Sequence, residues 1–423
     1  SYTYDDKYVL SGSIRWDRSN LWGTNSKYQN KPLWSVGGSW NIYKEKFFQA
    51  DFVDMLKLRA SYGIGGNIGR NTAPYLIASY YDSSLVDGMA GSVNTPPNKD
   101  IRWEKTTTVN VGVDFALFRH RLSGTIEYYN KYSVDLLAAI NGSPTQGFGY
   151  TTLMTNNGKM VNRGVEITLS GEIIRQKDFS WNASLLYAFN RNKVKHISVQ
   201  PSLWDSRISM PTSYPMVGKP LYGIYAYKWA GLNENGDPQV YDAENNVTSG
   251  PARDYHALVY CGTTVPIHNA SLTNVLRYKG FEFSAMLILD AGHKLRSSNI
   301  PSINMSNGRI TSTAKGIVDR WTQPGDVTDV PRLLFSNDTE NFNTHRTELY
   351  RYSDLFVYDA SNIRLSNISL AYRVPAHWCK KISLSGARLQ FNVENVATFA
   401  FDSKANYDLG GKVKPNYVWG LYL

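Results

Sequence analysis

Apolar and polar positions alternate with a period of two along most of the chain, the mark of strands with two different faces. The first such segment sets Tyr8, Leu10, Gly12, Ile14 and Trp16 against Val9, Ser11, Ser13 and Arg15. Leu56, Leu58, Ala60 and Tyr62 oppose Lys57, Arg59 and Ser61. Val109, Val111, Val113 and Phe115 oppose Asn110, Gly112 and Asp114. Val165, Ile167 and Leu169 oppose Glu166, Thr168 and Ser170, and Trp181 to Phe189 repeats the alternation. Further segments fall at Thr273–Tyr278, Phe281–Leu289, Ile363–Tyr372, Ala387–Glu394 and Tyr417–Leu423. Trp34–Ile42 and Leu122–Tyr129 alternate likewise, which makes about twelve strands, and no convincing amphipathic helix competes. The fold class predicted is all-β.

The connections differ in length, and the difference alternates. Leu117 to Arg121, Gly171 to Asp178, Lys279-Gly280 and Pro375 to Ser383 are short. Asn67 to Trp103, Asn130 to Asn162, Arg191 to Leu272, Ala291 to Asn362 and Phe399 to Lys414 are long. Short turns at one end and long loops at the other is the plan of an outer-membrane barrel. Tyr8 and Trp16 share a face eight residues apart. That is about 26 Å along a strand and about 20 Å after a tilt of about 40°, close to the expected apolar band of about 25 Å between aromatic girdles. Trp181 and Phe189 repeat the spacing. A cation at the lipid midplane costs about 2–4 kcal/mol. Arg15, Lys57, Arg59 and Glu166 are therefore expected on a wet inner face, and Leu10, Ile14, Leu56 and Leu58 against lipid. The alternative is a large soluble sandwich with one polar face.

Composition sharpens this picture. Aromatic residues make 13% and charged residues 19% of 423, which excludes a disordered chain. No apolar run is long enough for a transmembrane helix. The net charge of +10 is dispersed and contains no basic run, so nucleic acid is not an expected partner. Cys261 and Cys379 form no metal or redox motif and are expected to be unpaired thiols.

Candidate chemistry is sparse. The sequence has no HExxH, phosphate-binding loop or GxSxG elbow, and its histidines are scattered, so no enzyme, catalytic residue or cofactor is expected. Gly63 to Gly69 is rich in glycine but does not fit a dinucleotide motif. Asn233, Asn235 and Asp237 alternate like the start of a calcium loop, with Glu244 in the twelfth place. Gly236 and Pro238 make the same stretch a hairpin turn, so no metal site is assigned and calcium stays as the alternative.

The wording of the motifs then points to a family. Trp40-Asn41-Ile42, Leu56-Lys57-Leu58-Arg59-Ala60-Ser61-Tyr62-Gly63, Trp103-Glu104-Lys105-Thr106 and Asn162-Arg163-Gly164-Val165-Glu166 follow in that order. Phe189-Asn190-Arg191-Asn192-Lys193, Gly231-Leu232-Asn233, Pro324-Gly325-Asp326 and Ile363-Arg364-Leu365-Ser366-Asn367 continue it. Taken together, they resemble the SusC/RagA family of TonB-dependent outer-membrane transporters of Bacteroidota, over nearly the whole chain. Asp17-Arg18 departs from the family's Asp-Gly at that turn. The family's plug, TonB box and first strands have no counterpart here. The resemblance implies that residues 1–423 are the C-terminal part, roughly twelve strands, of a 22-stranded transmembrane antiparallel β-barrel with long extracellular loops. Tyr417, Trp419, Leu421 and Leu423 share a face, and a small truncation after them is expected.

What the resemblance implies for function is active import across the bacterial outer membrane. The ligand would be an oligosaccharide or an oligopeptide, with a glycan favoured. The energy would come from TonB through the missing N-terminal part, a SusD-like lipoprotein would act as lid, and outer-membrane lipid would surround the wall. A passive porin is the alternative. The long loops carry many aromatics, among them Trp204, Tyr214, Tyr222, Tyr225, Tyr227, Trp229, Trp321, Tyr350, Tyr352 and Tyr358. Flat rings stack on sugars or pack against peptide side chains, and loops on a rigid scaffold usually carry binding. The substrate-binding candidates are Trp204, Asp205, Arg207, Trp321, Tyr350 and Arg351.

Overall fold

The computed structural model describes residues 1–17, 25–28, 32–69, 74–84, 88–142, 145, 152–201, 206–250, 254–305, 313–335, 344–381, 383–410 and 414–422. Thirteen strands form one antiparallel sheet in which each strand bonds to the next in sequence. They are β1 (Tyr2–Tyr4), β2 (Tyr8–Arg15), β3 (Leu33–Asn41), β4 (Val53–Asn67), β5 (Glu104–Leu117), β6 (Leu122–Asn141) and β7 (Thr152–Arg175). Then follow β8 (Phe179–His196), β9 (His268–Tyr278), β10 (Phe281–Ala291), β11 (Asn362–Arg373), β12 (Arg388–Ala400) and β13 (Asn416–Tyr422). Among the described residues no pairing joins β1 to β13, so the sheet is an open wall.

The register fixes the two faces. Leu10 pairs with Gly38, Gly38 with Ala60, Ala60 with Val111, Val111 with Tyr128, Tyr128 with Val165 and Val165 with Phe189. Paired residues share a face, so one apolar surface crosses seven strands. Leu10 and Ile14 are each 59% exposed on it, as residues are that await a lipid solvent. The opposite row runs Arg59, Gly112, Glu127, Glu166. The residues expected on the lipid side and those expected on the lumen side stand on opposite faces in this register.

Aromatic rings edge the apolar surface at its short-turn end. Tyr4 stacks on Tyr8, Tyr8 on Trp40, and Trp40 tilts against Phe47. The Tyr8 hydroxyl and the Trp40 indole N–H both donate to Glu45 Oε1, at 2.5 and 3.0 Å. Amphipathic rings with satisfied polar tips are what a membrane interface selects.

The loop sorting holds: β5 to β6, β7 to β8, β9 to β10 and β11 to β12 turn at one end, and the long connections leave from the other. One expected loop is mostly strand. Asn130 to Asn162 continues the ladder, so β6 and β7 reach 20 and 24 residues. An apolar band of about 25 Å needs only about 10 residues per strand, and the excess stands above the membrane. The sheet accommodates it with a bulge after Ser133, where Asp135 takes φ 57°.

The long connections after β8 and β10 fold together into a small body with its own core. Tyr225, Tyr227, Val240, Ala257, Leu258 and Leu349 are buried together, and Ile303, Tyr350 and Phe356 form an adjoining cluster. Ser297 Oγ and the Ser298 N–H tie this body to Asp408 in the loop after β12.

Candidate functional site

The inner face of the wall is polar by construction. Arg59 of β4 reaches across Gly112, where a Cβ would stand 3.0 Å from the guanidinium carbon. Its Nε donates to Asp114 at 3.1 Å and its Nη2 to Glu127 at 2.8 Å. Asn110 donates to the other oxygen of Glu127, and Thr125 to Asp114. Farther round, Arg364 and Asn269 both donate to Asp290. Such charge-assisted bonds hold the groups in place on a surface whose other side is apolar.

Above the membrane the inner face leads to a cavity of about 330 Å³ between the tall β6–β7 hairpin and the loop body. Met160, Val194, Lys159, His196, Thr212 and Ser213 are among its lining. Met160 pairs with Val194 and lies on the face of Glu166, which puts this part of the lining on the inner face. The cavity lies where the sequence pattern predicted only a loop. The missed signal is the continued alternation of Tyr132 to Ile140 and of Met154 to Met160, which is interrupted by the bulge.

Glu104 braces this hairpin. Its carboxylate accepts from the Leu137 N–H at 2.9 Å and from the Asn67 amide at 2.8 Å. Next to it, Arg102 bonds Asp135 at 2.7 Å and lies 4.5 Å from the centre of the Tyr28 ring. The Trp103-Glu104-Lys105 motif is thus a splint between β4, β5 and β6.

The predicted binding residues scatter. Trp204 and Asp205 lie outside the described residues. Arg207 is buried, donates to the Tyr214 carbonyl and lies over the Tyr255 ring at 4.9 Å. Burial pushes its guanidinium below the ordinary arginine value, against the nearby Tyr225 and Tyr255. Tyr350 is 2% exposed between Trp229 and Phe356. Both side chains serve the core of the loop body. Trp321 is half-buried over the Gly236 turn, and Arg351 is exposed beside Tyr352. The structure does not gather the described four into one pocket.

Two of the residues weighed for calcium, Asn233 and Asp237, accept from protein donors. Asn233 Oδ1 accepts from the N–H groups of Asn235 and Asp237. Asp237 is held by Arg332 at 2.8 Å and by Arg346 at 3.1 Å. That is the hairpin turn, closed by two guanidinium groups. Cys261 and Cys379 are free, the first in the loop body and the second on the short helix Ala376–Lys381 at the turn end. Burial pushes the Cys261 thiol up to about 11.

Comparisons with known proteins agree with the wall and its loops. Residues 1–396 match the family model described as TonB dependent receptor-like, beta-barrel. TonB-dependent receptor P3 of Formosa agariphila is 27% identical over 100% of this chain and 43% of its own length. TonB-dependent receptor SusC of Bacteroides thetaiotaomicron is 25% identical over 93% of this chain and 39% of its own. The chain thus spans under half the length of these relatives. Among solved structures, that of the RagAB peptide transporter superposes with a TM-score of 0.79 at 23% identity, over 99% of this chain and 46% of that one.

Proposed function

The chain belongs to the TonB-dependent receptor-like β-barrel family of the outer membrane, and from that premise we propose that it forms the C-terminal wall and outer loops of an active importer. The cargo is an oligosaccharide or oligopeptide too large for passive diffusion. TonB drives release, and a SusD-like lipoprotein closes over the loops. A two-faced sheet with every long connection at one end carries this reading. The polar inner face provides a wet route, and the cavity beside Lys159, His196, Thr212 and Ser213 provides hydrogen-bonding groups at its outer end. Exposed Arg351 and half-buried Trp321 supply further contacts from the loop body. The RagAB peptide transporter, whose wall superposes on this one, is named for peptide transport, which supports the oligopeptide reading.

The test is uptake by cells carrying the full-length protein. Labelled oligosaccharides and oligopeptides of graded length are supplied, with and without TonB. Uptake that needs both TonB and the lipoprotein partner supports the proposal. Uptake that persists without TonB makes the protein a passive pore and refutes it.

A further inference from the structure

The outer surface of β7 and β8 carries a second polar feature that faces away from the passage. Val165 and Phe189 belong to the lipid face, and two residues farther out that face continues with Arg163 and Arg191. These two arginines sit directly opposite each other in the ladder. Lys193 follows on the same face, opposite Val161. Arg191, Lys193, Lys219, Phe189, Val265 and Tyr260 are among the residues lining one pocket of about 340 Å³. Lys219 lies 4.8 Å from the centre of the Tyr260 ring.

Like charges placed directly across a strand pair oppose each other. A carboxylate between them would relieve the repulsion, yet no ion pair links any of these four cations to an acid among the described residues. Among the described residues Arg163 donates to the neutral Asn130 oxygen, at 3.0 Å. The nearby carboxylates Glu127 and Glu166 share the other face of the sheet. The patch is therefore built for an anion that arrives from outside the barrel.

Its height says where that anion lies. Trp181 marks the lower interface on β8, and Arg191 is ten residues up the same face. Ten residues rise about 33 Å along a strand and about 25 Å along the membrane normal at a tilt of about 40°. Arg191 and Arg163 thus stand at the outer rim of the hydrocarbon band, level with the headgroups of the outer leaflet. Below them Phe189, Val165, Leu185 and Leu169 continue as apolar wall. Guanidinium groups bind phosphate through paired N–H donors, and lysines bind it as point charges.

The geometry points to a binding site for a phosphorylated glycolipid of the outer leaflet. The phosphate sits between Arg163, Arg191 and Lys193, the sugar lies against Tyr260 and Lys219, and the acyl chains run down the β7–β8 face. The site anchors the wall in its membrane and lies outside the import route.

The experiment uses the full-length transporter extracted with its partner in mild detergent. Native mass spectrometry reads the glycolipid retained. The wild type is expected to retain a phosphorylated glycolipid, and to bind its dephosphorylated form at least about tenfold more weakly. R163Q/R191Q/K193Q is expected to lose retention by at least about tenfold, and Lys177→Gln at a short turn to leave it unchanged. Inorganic phosphate at millimolar concentration is expected not to displace the lipid. Equal retention by the triple variant, equal binding of the dephosphorylated lipid, or displacement by phosphate alone overturns the assignment. So does burial of the patch against a second copy in the extracted protein. If the triple variant does not assemble, Lys193→Gln alone is read in the same way: a retention drop of threefold or more, roughly, supports the site, and no drop refutes it.

Discussion

Arg346 is the joint of the loop body, and replacing it with methionine keeps its stem while removing every bond of its head. The side chain is 3% exposed. Its Nε donates to Asp237 at 3.1 Å, Nη1 to the Ile303 carbonyl at 3.1 Å and to Asn304 Oδ1 at 2.6 Å, and Nη2 to the Arg332 carbonyl at 2.7 Å. Burial works against this charge, and Asp237 offsets the effect. Asp237 keeps Arg332 in the variant, so it is not left as a bare charge. The Ile303 carbonyl keeps the Leu334 N–H, while the Arg332 carbonyl loses the donor from Arg346, and a buried acceptor left without one costs about 1–3 kcal/mol. The variant should therefore lose about 1–3 kcal/mol of local stability, which speeds exchange by roughly five- to a hundredfold. Hydrogen exchange of the full-length protein in detergent measures this directly. Protection should fall across Pro238–Tyr241, Ile303 and the helix Thr344–Arg351, while β7 and β8 keep theirs. Unchanged protection in Arg346→Met would refute the argument that this head holds the loops together. Loss of protection in the barrel strands at the same time would refute the separate core of the loop body.

Three other outcomes follow from the same geometry. Leu169→Arg on the lipid face should destabilise the barrel by about 2–4 kcal/mol, whereas Thr168→Arg on the inner face should cost well under about 1 kcal/mol; heat-dependent gel mobility ranks them. Gly236 has φ 75°, and a Cβ there would collide with the Trp321 ring. Gly236→Ala should cost more than about 1 kcal/mol and shift Trp321 fluorescence, and an unchanged spectrum would contradict this packing. Burial lowers the His293 imidazole below its ordinary 6.5, against the pull of Asp290 and Asp359. Among the described residues its Nδ1 has no hydrogen-bond partner, while Lys294 pairs with Asp359 and Arg364 with Asp290. The folded state then binds this proton less readily than the unfolded state. The stabilisation is complete above about 6.5 and is lost as pH falls from there through the lowered value. Hydrogen exchange around Lys294–Arg296 should quicken over that window in the wild type, and a H293Q variant should flatten the profile.

Some of this was legible from residue order alone. Leu10, Leu58 and Val165 lie on one surface and Arg59 and Glu166 on the other because side chains in a strand alternate strictly. The high cost of charge in lipid then assigns each surface its solvent. Lys279-Gly280 needs no tertiary information to turn a chain, and long stretches such as 292–361 cannot fit inside a membrane. The residues of the loop body were not legible in this way. Tyr350 and Arg351 are neighbours in sequence and both suit a ligand by chemistry, yet packing against Trp229 and Phe356 buries the first and leaves the second at the surface. Asp237 looks like a metal ligand until Arg332 and Arg346, about a hundred residues away, close on it. The pairing of Arg163 with Arg191 likewise exists only once β7 and β8 are in register. Local alternation determines which way a side chain points, because that depends on the backbone beside it. What the side chain meets depends on long-range register and loop packing, and only the folded chain decides it.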